Sequence, residues 1–323
     1  MQIVPCLALG GALAGALVMP AAAQTWPARP IRLVMPYPTD GGGDIAGRAV
    51  AARLAEALGQ PIVIDNRPGA GTTIGTAIVA RAAPDGYTLL LANSALAINL
   101  TLYPKLPYDT LADLAPVSLV ATNPSLIVVH PSLPANSVKE LIALAKAQPG
   151  KLGYSSSGAG RGSHLGAALF ASMAGVQLTH VPYGGAATAL AGVTGGQVQL
   201  MFATTVAALP HLQAGRLRAL AVTSGKRSAQ LPDLPTVAEA ALPGYEFTSW
   251  YMLVAPAGTP ESVLARLQQD LKRVVDDPRV RQQLAKEGAD IGGSSSAEAA
   301  AYLNADIARW AKVIRETGVK PEG

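Results

Sequence analysis

Cysteine is nearly absent from the 323 residues: the single one, Cys6, falls in an N-terminal apolar segment that reads as a removable leader. The rest of the chain therefore has no disulfide, no thiolate metal site and no cysteine nucleophile. Aromatic residues make up only 5% of the sequence, while Gly and Ala are abundant, a composition that suits closely packed α/β layers better than a β-sandwich. The formal net charge of +4 is spread along the chain without the basic stripe that nucleic acid would require. Phosphate-loop chemistry is missing too: there is no G-x-x-x-x-G-K-[ST], and neither Gly69-x-Gly71 nor Gly158-x-Gly160 completes G-x-G-x-x-G. G-x-S-x-G and H-E-x-x-H are also absent, and the four histidines, His130, His164, His180 and His211, form no metal-spaced pair. No cofactor and no metal are expected.

Residues 1–23 read as a secretory signal. Val4 to Val18 is a short apolar run, Pro20 follows, and Ala21-Ala22-Ala23 before Gln24 supplies an A-x-A cleavage site, although no Lys or Arg precedes the run. The run is short for a membrane span. Export to the periplasm is the expectation.

What is present is an alternation of strands and helices. Ile31 to Met35 reads as a buried strand, followed by a glycine triplet at Gly41, Gly42 and Gly43 and a helix with Asp44 at its N-cap. Strands at Pro61–Asp65 and Tyr87–Ala92 and a helix over about Thr73–Ala82 continue the pattern. Such alternation implies right-handed βαβ crossovers and a mostly parallel sheet, with polar turns gathered at the strands' carboxyl ends. The apolar runs within Val117–Val129, broken at Thr122-Asn123-Pro124, read as a crossing into a second domain of the same grammar. A capping box at Ser137 to Glu140 opens its first helix. Trp250–Ala255 returns the chain, Pro260 at a first helical position starts an amphipathic helix, and Ser296 caps a last one whose apolar face is Leu303, Ile307, Trp310 and Ile314. Domain 1 is thus expected over 24–122 and 248–323, and domain 2 over 123–247. Two crossings between domains make a hinged clamp.

Two loops carry candidate chemistry. Tyr37 to Asp44, before the first helix, is either an ordinary strand-to-helix turn or an anion site built from free helix N–H groups. Ser155 to His164 gathers hydroxyls, N–H groups and the Arg161 guanidinium at another helix start, which suits a carboxylate or a phosphate. Ser157 with His164 also resembles a nucleophile and its base, against the plainer reading of His164 as a satisfied helix-start residue. His180 beside a strand reads as a core histidine. Tyr37, Tyr183 and Trp250, at strand ends, are either pocket walls or packing.

Nine stretches, in order along nearly the whole chain, resemble the periplasmic solute receptors of tripartite tricarboxylate transporters, the Bug or TctC-like proteins. They are Y-P-T-D-G-G-G-D-I-A-G-R (37–48), N-R-P-G-A-G-T-T-I-G (66–75), P-D-G-Y-T-L-L (84–90), S-S-G-A-G-R-G-S-H-L (156–165), H-V-P-Y-G-G (180–185), G-G-Q-V-Q-L-M-F (195–202), K-R-S-A-Q-L-P-D-L-P-T-V-A-E (226–239), P-G-Y-E (243–246) and A-P-A-G-T-P (255–260). The resemblance implies a two-domain fold of the periplasmic-binding-protein kind, a type II-like Venus flytrap. It implies a receptor, not an enzyme, that holds a small organic acid between its lobes and passes it to the transporter's membrane subunits. It also implies ligand contacts for Tyr37, Thr39, Gly41, Gly42, Asp44, Ser156, Ser157, Gly158, Gly160 and His164, with Ser94 and Tyr183 nearby. A monomer is expected.

Two positions depart from that pattern. Asp40 stands where the family's glycine pair usually begins, and Arg161 where a small hydroxyl residue is usual. Asp40 and Arg161 are expected to face each other across the cleft, either as an ion pair gating closure or with Asp40 reading a cationic group while Arg161 clamps a carboxylate. From other classes, the alternatives are a serine hydrolase using Ser157 and His164, and a sensor that docks on a membrane signalling protein.

Overall fold

The computed structural model describes residues 26–39, 42–158, 160–228, 230–286 and 288–320. The leader, Asp40 and Gly41 lie outside them. The chain begins with β1 (Ile31–Met35), α1 (Gly42–Leu58), β2 (Ile62–Asn66), α2 (Thr73–Ala80), β3 (Thr88–Asn93), α3 (Ala95–Leu102) and the long β4 (Leu114–Val129). It continues with α4 (Val138–Ala147), β5 (Gly153–Ser156), α5 (Gly162–Ala174), β6 (Thr179–Pro182), α6 (Ala186–Thr194), β7 (Leu200–Thr204), α7 (Thr205–Gln213), β8 (Arg218–Val222) and α8 (Val237–Ala240). The last elements are β9 (Thr248–Pro256), α9 (Glu261–Asp276), α10 (Pro278–Lys286), β10 (Asp290–Ile291) and α11 (Ser296–Thr317).

The strands form a mixed sheet in the order β2-β1-β3-β9-β4-β7-β5-β6, with β8 and β10 also paired to β4. The expected parallel pairing holds within β2-β1-β3 and within β6-β5-β7. Of the strands that join the two groups, β9 runs antiparallel to β3, β4 runs antiparallel to β7, and the two run antiparallel to each other. Instead of two runs broken at Thr122-Asn123-Pro124, β4 is one 16-residue strand. It pairs with β9 as far as Pro124 and with β7 from Ser125 onward, so Pro124 stands at the last rung of one ladder, where a missing N–H costs least.

That register fixes where the two carboxyl edges meet. Asn93, the last residue of β3, is level with Tyr251, which is level with Ala121. Thr204, the last residue of β7, is level with Ser125. Both parallel groups therefore end within four residues of one another along β4, on either side of Asn123.

Three apolar clusters hold the layers together. One lies under α1 and α9, where Val263, Leu267, Leu271, Val274 and Val275 form the buried stripe expected from their spacing. A second lies under α6 and α7. The third runs through both strand groups and is covered by α11, which packs on α3, β4 and α5. Helices α9 and α10 pack outside the first group, whereas α11 spans both. Its expected face is correct: Leu303, Trp310 and Ile314 are buried and Ile307 packs against them.

Caps shift by one residue in two places. Ser295, not Ser296, caps α11 in a full capping box with Glu298, and Pro260 is itself the N-cap before Glu261. At α4, Ser137 accepts from Glu140 N, but the Glu140 carboxylate takes the N–H of Asn136 instead of that of Ser137. Helix α3 was not anticipated, because its run Ala95–Leu102 has no polar face to give it a helical period.

Candidate functional site

At the end of β1 the chain turns into α1, which opens at Gly42, so Asp44 lies inside the first helical turn and is not the N-cap that its sequence position suggested. Its carboxylate is only 2% exposed. Arg48 Nε donates to Asp44 Oδ2 at 2.7 Å, and Asn66 Nδ2, from the end of β2, donates to Oδ1 at 2.9 Å. The same Asn66 amide reaches the carbonyl of Tyr37 at 3.1 Å and accepts from Arg48 at 3.1 Å. Three segments at the carboxyl edge of the first group are thereby tied into one unit. Sequence reading missed Arg48 and Asn66, although the i,i+4 spacing of Asp44 and Arg48 was a legible signal.

The glycine at 43 answers a close approach, not a special backbone angle. A methyl group there would stand 2.9 Å from the Tyr251 ring and 3.0 Å from the Tyr37 ring. The two rings are 6.2 Å apart. The Tyr37 hydroxyl is fully buried and has no hydrogen-bond partner among the described residues. Burial, with Tyr251 and then Asp44 nearby, pushes its phenol well above the ordinary value, so it stays a neutral donor. Thr39 is exposed at the end of the turn. Ser94 is nearly buried and directly precedes α3.

The second loop follows β5 and enters α5. Gly158 (φ 136°) and Gly160 (φ 71°) have backbone angles that side chains disfavour. Ser157 N donates to Ser163 Oγ at 2.9 Å, and the two hydroxyls lie 3.1 Å apart. Gly160 N donates to His164 Nδ1 at 2.9 Å, which requires that nitrogen to be unprotonated. The His164 ring stacks on His180, 3.9 Å between centroids and 6° from parallel, and Tyr154 extends the stack at 5.0 Å from His180. Burial, followed by the neighbouring His180, lowers the His164 pKa to about 4.

His180 Nε2 lies 2.6 Å from Ser156 Oγ. That hydroxyl also accepts from Gly158 N at 3.2 Å and lies 3.1 Å from Gly158 O. His180, read from sequence as a core histidine, thus holds the loop. No sequence signal distinguished it, because its partners lie 16 and 24 residues away.

Of the remaining candidates, Arg161 is exposed and makes no ion pair among the described residues. The expected facing of Arg161 and Asp40 falls outside the described residues, as does Gly41. Tyr183 donates its N–H to Ser156 O, but its ring lies over Gly192 of α6 and its hydroxyl is 3.4 Å from Gln197, so the side chain is not brought to the loop. Trp250 is core, with Nε1 donating to Asp306 of α11 at 2.8 Å. Ser157 and His164 share no hydrogen bond, each having other partners.

The two helix starts converge on one strand. Tyr251 lies against Gly43 of α1, and a methyl group on Gly162, the first residue of α5, would be 3.5 Å from Ser249 Oγ. Ser249 and Tyr251 are alternate residues of β9, on the same face and roughly 7 Å apart. On the far side of the loop, a methyl group at Gly160 would touch Leu102 of α3 at 3.2 Å. Two helix N-termini from different strand groups thus face one short stretch of floor, an arrangement that stabilises negative charge through free N–H groups. Among the described residues no group of His, Asp or Glu could hold a metal, and no helix is long and apolar enough to cross a membrane.

An α/β fold with anion-favouring helix starts gathered at the junction of two strand groups is the architecture of a solute-binding receptor. Residues 46–319 match the model of the tripartite tricarboxylate transporter family receptor, and the chain belongs to that family. It is 38% identical to the protein BugT of Bordetella pertussis over 306 residues, covering 94% of each chain. Its fold is similar to the structure of an R. palustris protein with adipate (39% identity, TM-score 0.78, 92% of this chain and 100% of that one). It is also similar to MatC from Rhodopseudomonas palustris with bound malate (33% identity, TM-score 0.74, 90% of this chain and 100% of that one).

Proposed function

We propose that the chain is an exported, non-catalytic receptor that captures a small organic acid between two lobes, 24–122 with 248–323 and 123–247. The lobes close about β4 and β9, and the loaded receptor docks as a monomer on the membrane subunits of a tripartite transporter. The observation that carries this reading is the convergence of α1 and α5 on Tyr251 and Ser249. One carboxylate sits between the helix starts, against the Tyr37 turn of the first lobe and beside the Ser157 hydroxyl and the start of α5 in the second. The adipate and malate found in the two similar structures support a carboxylate of this size.

Catalysis by the loop serines is disfavoured by geometry. Ser156, whose hydroxyl lies 2.6 Å from His180 Nε2, has 0% exposure, so no substrate carbonyl can reach its oxygen. The stacked His164 is committed to Gly160 N as an acceptor.

Calorimetric titration of refolded protein with mono- and dicarboxylates of three to eight carbons, beside amines and phosphates of similar size, tests the reading. Saturable binding confined to carboxylates, with a smaller radius of gyration in the bound state, is the expected result. Binding of amines or phosphates instead, or turnover of a p-nitrophenyl ester that is lost in Ser157→Ala, overturns it.

A further inference from the structure

The apolar core is continuous on one face of the joining strands and divided on the other. Side chains alternate across β4, so Ile127 and Val129 enter one cluster and Leu126 and Val128 another. The cluster on the α11 face draws on both lobes: Phe170, Phe202 and Phe247 share it with Trp250 and Trp310, and the Phe247 and Trp310 rings meet edge to face at 5.8 Å. On the opposite face, the residues under α1 and α9 all lie within 24–122 and 248–323, and those under α6 and α7 all lie within 123–247.

The divided face is bridged by polar and backbone contacts. Gln230, in the loop between β8 and α8, donates from Nε2 to the carbonyl of Ala285, in the last turn of α10, at 2.5 Å. A methyl group on Gly288 would stand 2.9 Å from Thr205 Cβ at the start of α7, so it is a glycine that lets the turn after α10 come this close. Beside these two contacts lies a cavity of about 390 Å³, lined by Gln230 from one lobe and by Arg281, Ala285, Asp290 and Ile291 from the other.

Parting the lobes along the α11 face would pull aromatic rings of both lobes out of one core, and the burial of apolar surface resists that. Parting them along the other face separates clusters that are already distinct and breaks contacts of the kind just described. We infer that the receptor opens along the divided face, rocking about the shared core beneath α11, and that the Gln230–Ala285 bond and the Gly288–Thr205 contact form a latch that must break before a bound acid can leave. The inference rests on the carboxylate-receptor reading above and adds to it the flank on which the site opens. Helix α1, whose start walls the site, lies on that flank.

Paired cysteines on a Cys6→Ser background, which has no other thiol, test it. Gln230→Cys with Ala285→Cys bridges the latch. Ser172→Cys with Glu316→Cys bridges the seam between α5 and α11, where the native pair is also an exposed hydrogen bond, at 3.0 Å. A short bismaleimide serves for either pair that forms no disulfide. Small-angle scattering of the ligand-free protein is expected to show a smaller radius of gyration when the latch pair is bridged and no change when the seam pair is. Release of the tightest-binding acid of the three-to-eight-carbon series is expected to slow at least about tenfold in the bridged latch pair and to stay within about twofold in the seam pair. Gln230→Ala alone is expected to speed release about fivefold, the worth of one neutral hydrogen bond. A larger effect on scattering or release from bridging the seam, or none from bridging the latch, overturns the inference, as does unchanged release in Gln230→Ala. Binding of no carboxylate at any length overturns the receptor reading itself, and the scattering comparison then still decides the latch.

Discussion

The two loops that frame the site do the same job with different bonds. The α1 loop is held from a distance: Asp44 is fixed by Arg48 one turn along the helix and by Asn66 at the end of another strand, through a charged network. The α5 loop is held by neutral groups, mostly its own: Ser156, Ser163 and His164 bond N–H groups within eight residues, and His180 closes the set by stacking and by its bond to Ser156. The difference has an electrostatic logic. The first loop carries a buried anion and therefore needs a guanidinium beside it, whereas the second carries no formal charge and its helix start favours an anion. The first loop should accordingly fail when a partner is removed, and the second when a proton is added.

Asp44→Ala tests the first half of that contrast and has the largest expected effect. It strips Asn66 and Arg48 of a shared acceptor. Because Arg48 is half exposed and can regain water, the loss is expected at about 2–3 kcal/mol, below the figure for a fully buried pair. Urea unfolding reads it directly. A double-mutant cycle with Arg48→Ala should return a coupling of about 1 kcal/mol. A loss under about 0.5 kcal/mol would mean that the loop does not depend on the network.

Lowering the pH tests the second half. His164 has a pKa of about 4 in the folded chain against an ordinary value of 6.5, so between those values the unfolded chain binds more protons. Its contribution to stability is full above pH 6.5 and is lost as the pH falls from 6.5 through 4. The groups packed on the ring, His180 and Tyr154, supply no negative charge to offset the proton. After allowance for solvent at this partly exposed ring, the loss is expected at about 1–2 kcal/mol. His164→Gln, which keeps an acceptor but does not titrate in this range, should flatten the stability profile between pH 6.5 and 4. An unchanged profile in that variant would place the titration elsewhere.

The parts of this architecture that were legible in the sequence are those written locally. The strand-helix alternation, the α9 and α11 faces and the glycines of the second loop follow from periodicity and backbone chemistry over a few residues. What was not legible depends on pairing across the chain. That β4 is unbroken through Asn123 and Pro124 follows from its register with β9 and β7, residues 71 to 142 positions away. The bond of Trp250 to Asp306, which makes it core, and the stack of His180 on His164 have no local signature either. Of the two departures from the family pattern, Arg161 can be placed, at the N-cap position of α5 with an exposed side chain.

The smallest expected effect separates the two loops most cleanly. Ser163 is the second residue of α5, and its hydroxyl accepts the Ser157 N–H from the turn before the helix, a bond internal to the loop. Ser163→Ala removes one neutral acceptor from a partly buried N–H, for which about 1 kcal/mol is expected. Because the bond carries no formal charge, the loss should be the same at low and high salt, whereas the loss in Asp44→Ala should shrink as the exposed Arg48 is screened. Because the bond is internal to the loop, the Kd for a ligand should change by less than about threefold although stability falls. A Kd weakened by more than tenfold, at unchanged stability, would mean that Ser163 touches the ligand and that the second loop is held by something other than its own hydroxyls.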